Sequence, residues 1–289
     1  MPELPEVEVV KKSLKNVVNN LTIKDVQIND GNLRYKLTKQ QINQIIGSKI
    51  LNIKRRSKYL LFFLNKGLVM VVHLGMTGKF FIVQKNNIKQ KTSFYYDIDK
   101  TKDFKHDRVL FFFKNRLKLI YNDIRKFGFI KIEPLRKINN NLHLKKLGPE
   151  PLSNSFNLKY FKKKIFKKKR PIKNLLMDQK FVSGLGNIYV NEILFYSKVK
   201  PCRKIHKLKD KDLEKLLKFT KKILKKAITF GGSSIKDFSS SLGKKGNFQE
   251  HFAVYGRKGQ MCSNTDCNGI VRKIVISNRA SFFCPKCQK

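Results

Sequence analysis

Four cysteines near the end of the chain stand as Cys262-x4-Cys267 and, sixteen residues on, Cys284-x2-Cys287. Two close thiol pairs separated by a hairpin-length insert can converge tetrahedrally on one zinc ion. With all four positions taken by protein no place is left for water, so a metal held there is structural. Free thiols are the plainer alternative, against which the paired spacing weighs; Cys202 lies outside the pattern and reads as an ordinary thiol. "SGLGN" at 183–187 brings backbone N–H groups and Asn187 to the start of a helix, a geometry that suits phosphate, although Gly-rich turns between helices look the same. "YNDIRKFG" at 121–128 sets Arg125 and Phe127 two residues apart on one side of an extended segment, and "HLGMTG" puts Met76 on a Gly-flanked loop. Met and Phe are core residues by default, but together with a cation they form a set that can unstack a duplex and fill the gap.

These residues need elements to carry them. The start, "MPELPEVEVV", has helix-start chemistry: proline suits a first turn, Glu3, Glu6 and Glu8 favour the positive end of the dipole, and Val7, Val10, Leu14, Val17 and Leu21 follow at steps of three and four. Residues 22–133 read as strands. "YLLFFL", "NKG", "LVMVVHL" is one hairpin, "KFFIV" continues the meander, "RVLFFF", "KNR", "LKLIY" is a second hairpin, and "FIKIE" follows, which predicts an antiparallel sandwich. Beyond Gly148, Pro149 and Pro151 the spacing turns helical. "LKYFKKKIFKKKR" runs to Pro171, "IKNLLMDQKFV" into "SGLGN", "IYVNEILFYS" resumes, and "DKDLEKLLKFTKKILKKAITF" is a long amphipathic helix ending at Gly231 and Gly232.

The fold class expected is therefore α+β. Its parts are a β-sandwich domain over 1–133, a linker over 134–150, a helical domain over 151–250 with a Gly/Ser/Lys loop at 231–250, and a Cys-rich module over 251–289.

Composition narrows the function. The 289 residues carry 64 Lys and Arg against 20 Asp and Glu, a net charge of +44. A surface this basic points to a polyanion, with nucleic acid the default partner, although Lys in company with much Asn, Ile and Phe also fits A+T-rich coding. Hydrophobic residues at 41% argue against wholesale disorder. No apolar run reaches the roughly 18 residues of a membrane span, and no basic-then-apolar leader opens the chain, which predicts a cytoplasmic protein.

In order along the chain stand "PELPEVE", "KYLLF", "HLGMTG", "NDIRKFG", "LGPEPLS", "GLGNIYVNEILF", "GGSSIKDF", "VYGRKGQMC" and "NRASFFCPKCQK". Over essentially its whole length the chain thereby resembles the bacterial formamidopyrimidine-DNA glycosylases, also called 8-oxoguanine DNA glycosylases. The resemblance implies a helix-capped β-sandwich, a helix–two-turn–helix DNA-binding domain and a zinc ribbon with one structural Zn2+. It implies a bifunctional glycosylase and AP lyase of base-excision repair, acting as a cytoplasmic, nucleoid-associated monomer on double-stranded DNA that contains oxidised purines.

It also implies roles. Met1 is removed and the amine of Pro2 is the nucleophile, Glu3 the acid, and Glu6 a support for the terminus. Lys58 serves the first elimination, with phosphate contact as its physical alternative; Arg279 serves the second and grips phosphate. His106, Lys168 and Asn187 contact the DNA backbone. Met76, Arg125 and Phe127 invade the helix, Arg125 facing the orphaned cytosine, while the loop at 231–250 covers the flipped base. Cys262, Cys267, Cys284 and Cys287 hold the zinc.

The chain departs from the family pattern in its four-residue first Cys spacing, in Ile124 where Pro is usual, in Lys126 where Arg is usual, and in having no Trp. Two alternatives stay open. An endonuclease VIII-type enzyme for oxidised pyrimidines shares the Pro–Glu start but usually continues with Gly where this chain has Leu4. A non-catalytic zinc-containing DNA-binding protein would have lost the reaction, against which Pro2, Glu3, Lys58 and Arg279 all weigh.

Overall fold

Helix α1 (Leu4–Val18) opens the chain in the computed structural model, which describes residues 1–83, 89–91, 103–166, 169–233 and 247–289. The helix begins two residues later than Pro2 suggests: Glu3 is its N-cap, Pro5 fills the first turn, and Glu3 and Glu6 form a capping box. Val7, Val10, Leu14 and Val18 face the core, whereas Leu21 lies past the end of the helix. Two compact units follow: residues 1–145 with 230–247, and residues 146–229 with 248–289.

Among the described residues of the first unit nine strands form two antiparallel sheets. One runs β1 (Ile23–Ile28), β7 (Asp107–Phe113), β8 (Lys118–Asn122), β5 (Lys79–Val83), β6 (Lys89–Lys91); the other runs β2 (Ile50–Arg56), β3 (Tyr59–Leu64), β4 (Leu68–His73), β9 (Phe129–Pro134). One core takes Leu60, Phe62, Met70 and Val72 from the second sheet and Phe80, Ile82, Val109, Phe111 and Tyr121 from the first, so the sheets are the two layers of a sandwich. Leu61, Val69, Val71 and Phe129 point the other way into a second cluster with Ile138 and Leu144. Strands β3 and β4 are thus buried on both faces, which is why they read as unbroken apolar runs. Short helix α2 (Lys39–Asn43) had no counterpart in the strand reading, although Thr38 and Gln41 form a capping box that its sequence carries.

The second unit has helices α3 (Leu158–Ile165), α4 (Ile172–Met177), α5 (Asn187–Tyr196) and α6 (Asp210–Thr229), with a hairpin of β10 (Arg272–Ile276) and β11 (Arg279–Phe283). Two helices are shorter than their sequence spacing suggests. The α3 helix stops at Phe166, whose ring is exposed, because no apolar face continues it. The α4 helix stops at Asp178, whose carboxylate takes the Lys180 N–H at 3.0 Å and Arg170 at 2.9 Å. Helix α5 is buried along nearly its whole length and carries polar groups inward. Glu192 accepts the backbone N–H groups of Ala253, Val254 and Tyr255 at 2.8, 3.1 and 2.8 Å, and Asn191 accepts that of Phe282 at 2.7 Å. The chain entering the Cys-rich module and the second strand of its hairpin are therefore both fixed to one helix. No helix among the described residues is long and apolar enough to cross a membrane.

Candidate active site, nucleic-acid interface and metal centre

The amino terminus enters the first unit buried from its second residue. Pro2 is buried, Glu3 is 3% exposed and Glu6 1%. Glu6 accepts the Glu3 backbone N–H at 2.9 Å, which fixes the segment just behind Pro2. Lys58, also buried, sits on the two-residue turn between β2 and β3, where Ser57 takes a φ of 56°. Arg55 holds that turn to the first helix: its guanidinium donates to the Ser57 carbonyl at 2.9 Å and to Glu8 at 2.7 Å. Burial pushes the Glu8 carboxyl up, but hydrogen bonds from Lys11 and Arg55 outweigh it and the net shift is downward.

With Met1 in place the Pro2 nitrogen is an amide, and the terminal amine belongs to Met1. Its pKa is lowered, first by burial and then by the charge of Lys58 and, more weakly, Arg125; Glu3 and Glu6 pull the other way. Three of the sequence-predicted residues, Glu3, Lys58 and Arg125, therefore bear on one amine. An amine with a lowered pKa, set among a carboxyl and two cations, is equipped for nucleophilic attack with acid assistance.

Met76 and Phe127 stand out from two neighbouring loops, 38% and 45% exposed. The Arg125 guanidinium lies 4.6 Å from the centroid of the Phe127 ring. The segment is a turn rather than extended throughout, with Lys126 at a φ of 56°, and this turn brings cation and ring together. His106, half-buried at the end of the 3-10 turn that leads into β7, shares a hydrogen bond of 3.1 Å with Arg108.

In the second unit, Ser277 and Asn278 take φ values of 48° and 58°, the two-residue hairpin geometry that matches strand twist, and Arg279 follows immediately, exposed. The next carbonyl, of Ala280, accepts from Asn187 at 3.0 Å and from the Lys173 ammonium at 2.8 Å; Lys173 also donates to Ser281 at 2.6 Å. Asn187 thus stands at the first position of α5, as expected, with its amide directed to the hairpin. Burial, and then the nearby Arg279 charge, bring the Lys173 pKa down to about 8. Lys168 and most of the loop at 231–250 lie outside the described residues.

The four cysteine sulfurs lie within 4.8 Å of one another, with Cys262–Cys287 and Cys267–Cys284 both at 3.7 Å. Metal–sulfur bonds of about 2.3 Å in a tetrahedron put sulfurs about 3.8 Å apart, so the donor set fits one zinc. Gly269 N–H, at 3.4 Å from Cys267 Sγ, and the Asn264 amide, at 3.8 Å from Cys287 Sγ, supply the hydrogen bonds that thiolates favour. The longer first spacing is accommodated by the turn that pairs Cys267 N–H with the Asn264 carbonyl.

Sequence reasoning passed over Thr77, Asp123, Lys173, Asn191 and Glu192. Asn191 and Glu192 are polar residues set among apolar ones, whereas Thr77, Asp123 and Lys173 carry no such mark; all five become informative only in the folded structure.

Comparisons with known proteins agree with this geometry. The model of the formamidopyrimidine-DNA glycosylase N-terminal domain matches residues 1–130, and that of the formamidopyrimidine-DNA glycosylase H2TH domain matches residues 147–239. Formamidopyrimidine-DNA glycosylase of Rickettsia bellii (strain OSU 85-389) is 41% identical over 289 residues, 100% of both chains. That of Rhodopseudomonas palustris is 39% identical over 295 residues, again 100% of both. Among solved structures, wild-type Lactococcus lactis Fpg with DNA containing N7-benzyl-Fapy-dG has a TM-score of 0.85 at 33% identity and 100% coverage of both chains. The Lactococcus lactis Fpg complex with abasic-site DNA gives 0.85 and 33%, covering 99% of each.

Proposed function

The chain belongs to the formamidopyrimidine-DNA glycosylase family, and from that premise we propose that it excises oxidised purines from duplex DNA and then cuts the strand behind them. It is a base-excision-repair glycosylase and AP lyase. The observation that supports the reaction is a buried Pro2 followed by buried Glu3, with the charges of Glu3 and Lys58 both acting on the Met1 amine whose removal exposes the Pro2 nitrogen.

After removal of Met1, the Pro2 nitrogen is a secondary amine. Its lone pair attacks C1′ of the sugar as the bond from C1′ to the base breaks, the base leaving with that electron pair and taking a proton from solvent. Glu3 supplies the proton that opens the sugar ring. Loss of the proton on nitrogen frees its lone pair to form the C1′=N bond as the C1′–O4′ bond breaks, which gives a cationic iminium and leaves O4′ on C4′ as the hydroxyl that Glu3 has protonated. That cation draws electrons from the C2′–H bond, so a base can take the C2′ proton while the 3′ phosphate leaves. Lys58 serves this first elimination. Arg279 serves the second, in which the 5′ phosphate leaves, and holds the phosphate it releases.

Chemistry at C1′ requires the nucleotide to be out of the stack. Met76 and Phe127 fill the vacated space and Arg125 faces the orphaned base. His106, Lys168 and Asn187 contact the DNA backbone. Cys262, Cys267, Cys284 and Cys287 hold one zinc, whose only contribution is to fix the hairpin that carries Arg279. Its substrate, the chromosome, places the enzyme in the cytoplasm.

Borohydride trapping tests the reading. Protein lacking Met1 yields a covalent adduct with abasic DNA, and Pro2→Ala abolishes it; absence of an adduct from the trimmed, metal-loaded protein overturns the proposal. Release of 8-oxoguanine opposite cytosine is expected to exceed release of thymine glycol.

A further inference from the structure

The two loops that carry Met76 and the Arg125–Phe127 pair expose large apolar side chains to solvent, including Ile124 at 47%. The backbone at the base of the two loops sets the direction in which these side chains stand. That base is a buried carboxylate. Asp123 is 0% exposed and both its oxygens are engaged: Oδ1 accepts the Thr77 hydroxyl at 2.5 Å, and Oδ2 accepts the Gly128 N–H at 2.8 Å and the Tyr121 hydroxyl at 3.5 Å. Thr77 Oγ1 in turn accepts the Arg125 backbone N–H at 3.0 Å. A relay thus runs from the backbone of Arg125 through the hydroxyl next to Met76 and back to the residue two positions before Arg125.

The backbones also touch. A Cβ on Gly75 would lie 2.4 Å from Gly128 N and Phe127 C, so only glycine lets the loops meet there. From outside, Arg108 Nε donates to the Asp123 carbonyl at 2.9 Å, while Arg108 and Lys126 share Asp30 at 2.9 and 2.7 Å.

We propose that Thr77 and Asp123 are positioning residues that bind the 74–78 and 123–128 loops into one rigid wedge, so that Met76, Arg125 and Phe127 enter the duplex as a set. The proposal rests on the helix-invading role assigned above to those three. It accounts for a departure in this chain: a proline in place of Ile124 would stiffen the loop through its ring, and here side-chain hydrogen bonds to a buried charge supply the stiffness. A purely local role for Asp123, capping its own turn, makes no use of Thr77, which lies 46 positions away in sequence.

Thr77→Val keeps the shape and removes the hydroxyl; Thr77→Ser restores it. Three quantities are read: 8-oxoguanine excision from duplex DNA opposite cytosine and opposite adenine, borohydride trapping on a single-stranded abasic oligonucleotide that needs no wedge, and the melting temperature. In Thr77→Val duplex excision falls about fivefold to tenfold and the preference for cytosine narrows, single-stranded trapping holds, and Thr77→Ser recovers both. Should Thr77→Val fail to fold, Asp123→Asn is read in the same way. Unchanged duplex excision overturns the proposal, as does an equal loss on single-stranded DNA, which marks a merely structural role. If the parent protein without Met1 traps nothing, it is the proposed function that falls.

Discussion

Ser233 gives both its backbone N–H and its hydroxyl to one oxygen of Glu6, at 2.9 and 3.0 Å. The other Glu6 oxygen holds the Glu3 N–H at 2.9 Å. One carboxylate therefore joins Glu3, the residue behind the proposed nucleophile, to the backbone that follows Gly231 and Gly232. The approach is close: a Cβ on Gly232, at a φ of 82°, would lie 3.0 Å from Glu6 Oε1.

Glu6→Gln replaces one acceptor oxygen by a donor and leaves a buried N–H facing it. The expected cost is about 1–3 kcal/mol, or roughly 2–4 °C in melting temperature for each kcal/mol at this chain size. Imine trapping on abasic DNA slows with it, because Glu3 and Pro2 lose their anchor. Scanning calorimetry and trapping kinetics on the same preparation check both effects; an unaltered melting curve contradicts them.

Lys58→Met removes a cation that lowers the pKa of the Met1 amine, and the same charge is expected to act on the Pro2 amine once Met1 is gone. Without it the ammonium form is favoured, so a more alkaline solution is needed to free the lone pair. The pH at half-maximal trapping moves upward in the variant, and Arg125→Ala shifts it in the same direction by less. A midpoint that stays in place or falls refutes this placement of the charges.

His73 has its pKa lowered to about 4, first by burial and then by the Lys58 charge, and its Nδ1 accepts the Gly75 N–H at 3.1 Å below the Met76 loop. The unfolded chain binds this proton at about 6.5, the folded chain only near 4, so the unfolded state holds more protons between those values. Stability from this group is complete above pH about 6.5 and is lost as pH falls towards 4, in total about 3 kcal/mol. In an NMR titration the His73 ring stays neutral down to pH 5; a midpoint near 6.5 is the contrary result.

Stripping metal from the four cysteines, or Cys284→Ser, is expected to unfold the segment around the β10–β11 hairpin, since binding free energy at such sites is folding free energy. Elemental analysis should give one zinc per chain. DNA affinity falls on chelation and returns with zinc. Retention of full affinity by metal-free protein is the outcome that removes zinc from the account.

Much of the fold is legible in the sequence because burial writes a period into it. The runs around Phe62 and Met70 announce strands, and the steps of three and four from Asp210 to Thr229 announce α6. Helix ends are harder. The Lys-rich tail of "LKYFKKKIFKKKR" is compatible with a longer helix, and only the fold shows that Ile165 is the last residue of α3. In the candidate site, the cysteines are legible from spacing alone, and Pro2, Glu3 and Lys58 from family motifs. Asp123 and Lys173 are not. Each stands in a stretch rich in other charged residues, and only the folded backbone shows that these two face inward.

The hold on Arg279 has a consequence for how this protein's history can be read. Lys173 and Asn187 converge on the Ala280 carbonyl, an atom that every amino acid supplies. Position 280 can drift through many side chains while the grip persists, so aligned relatives would show a variable column at the very point where the hairpin is clasped.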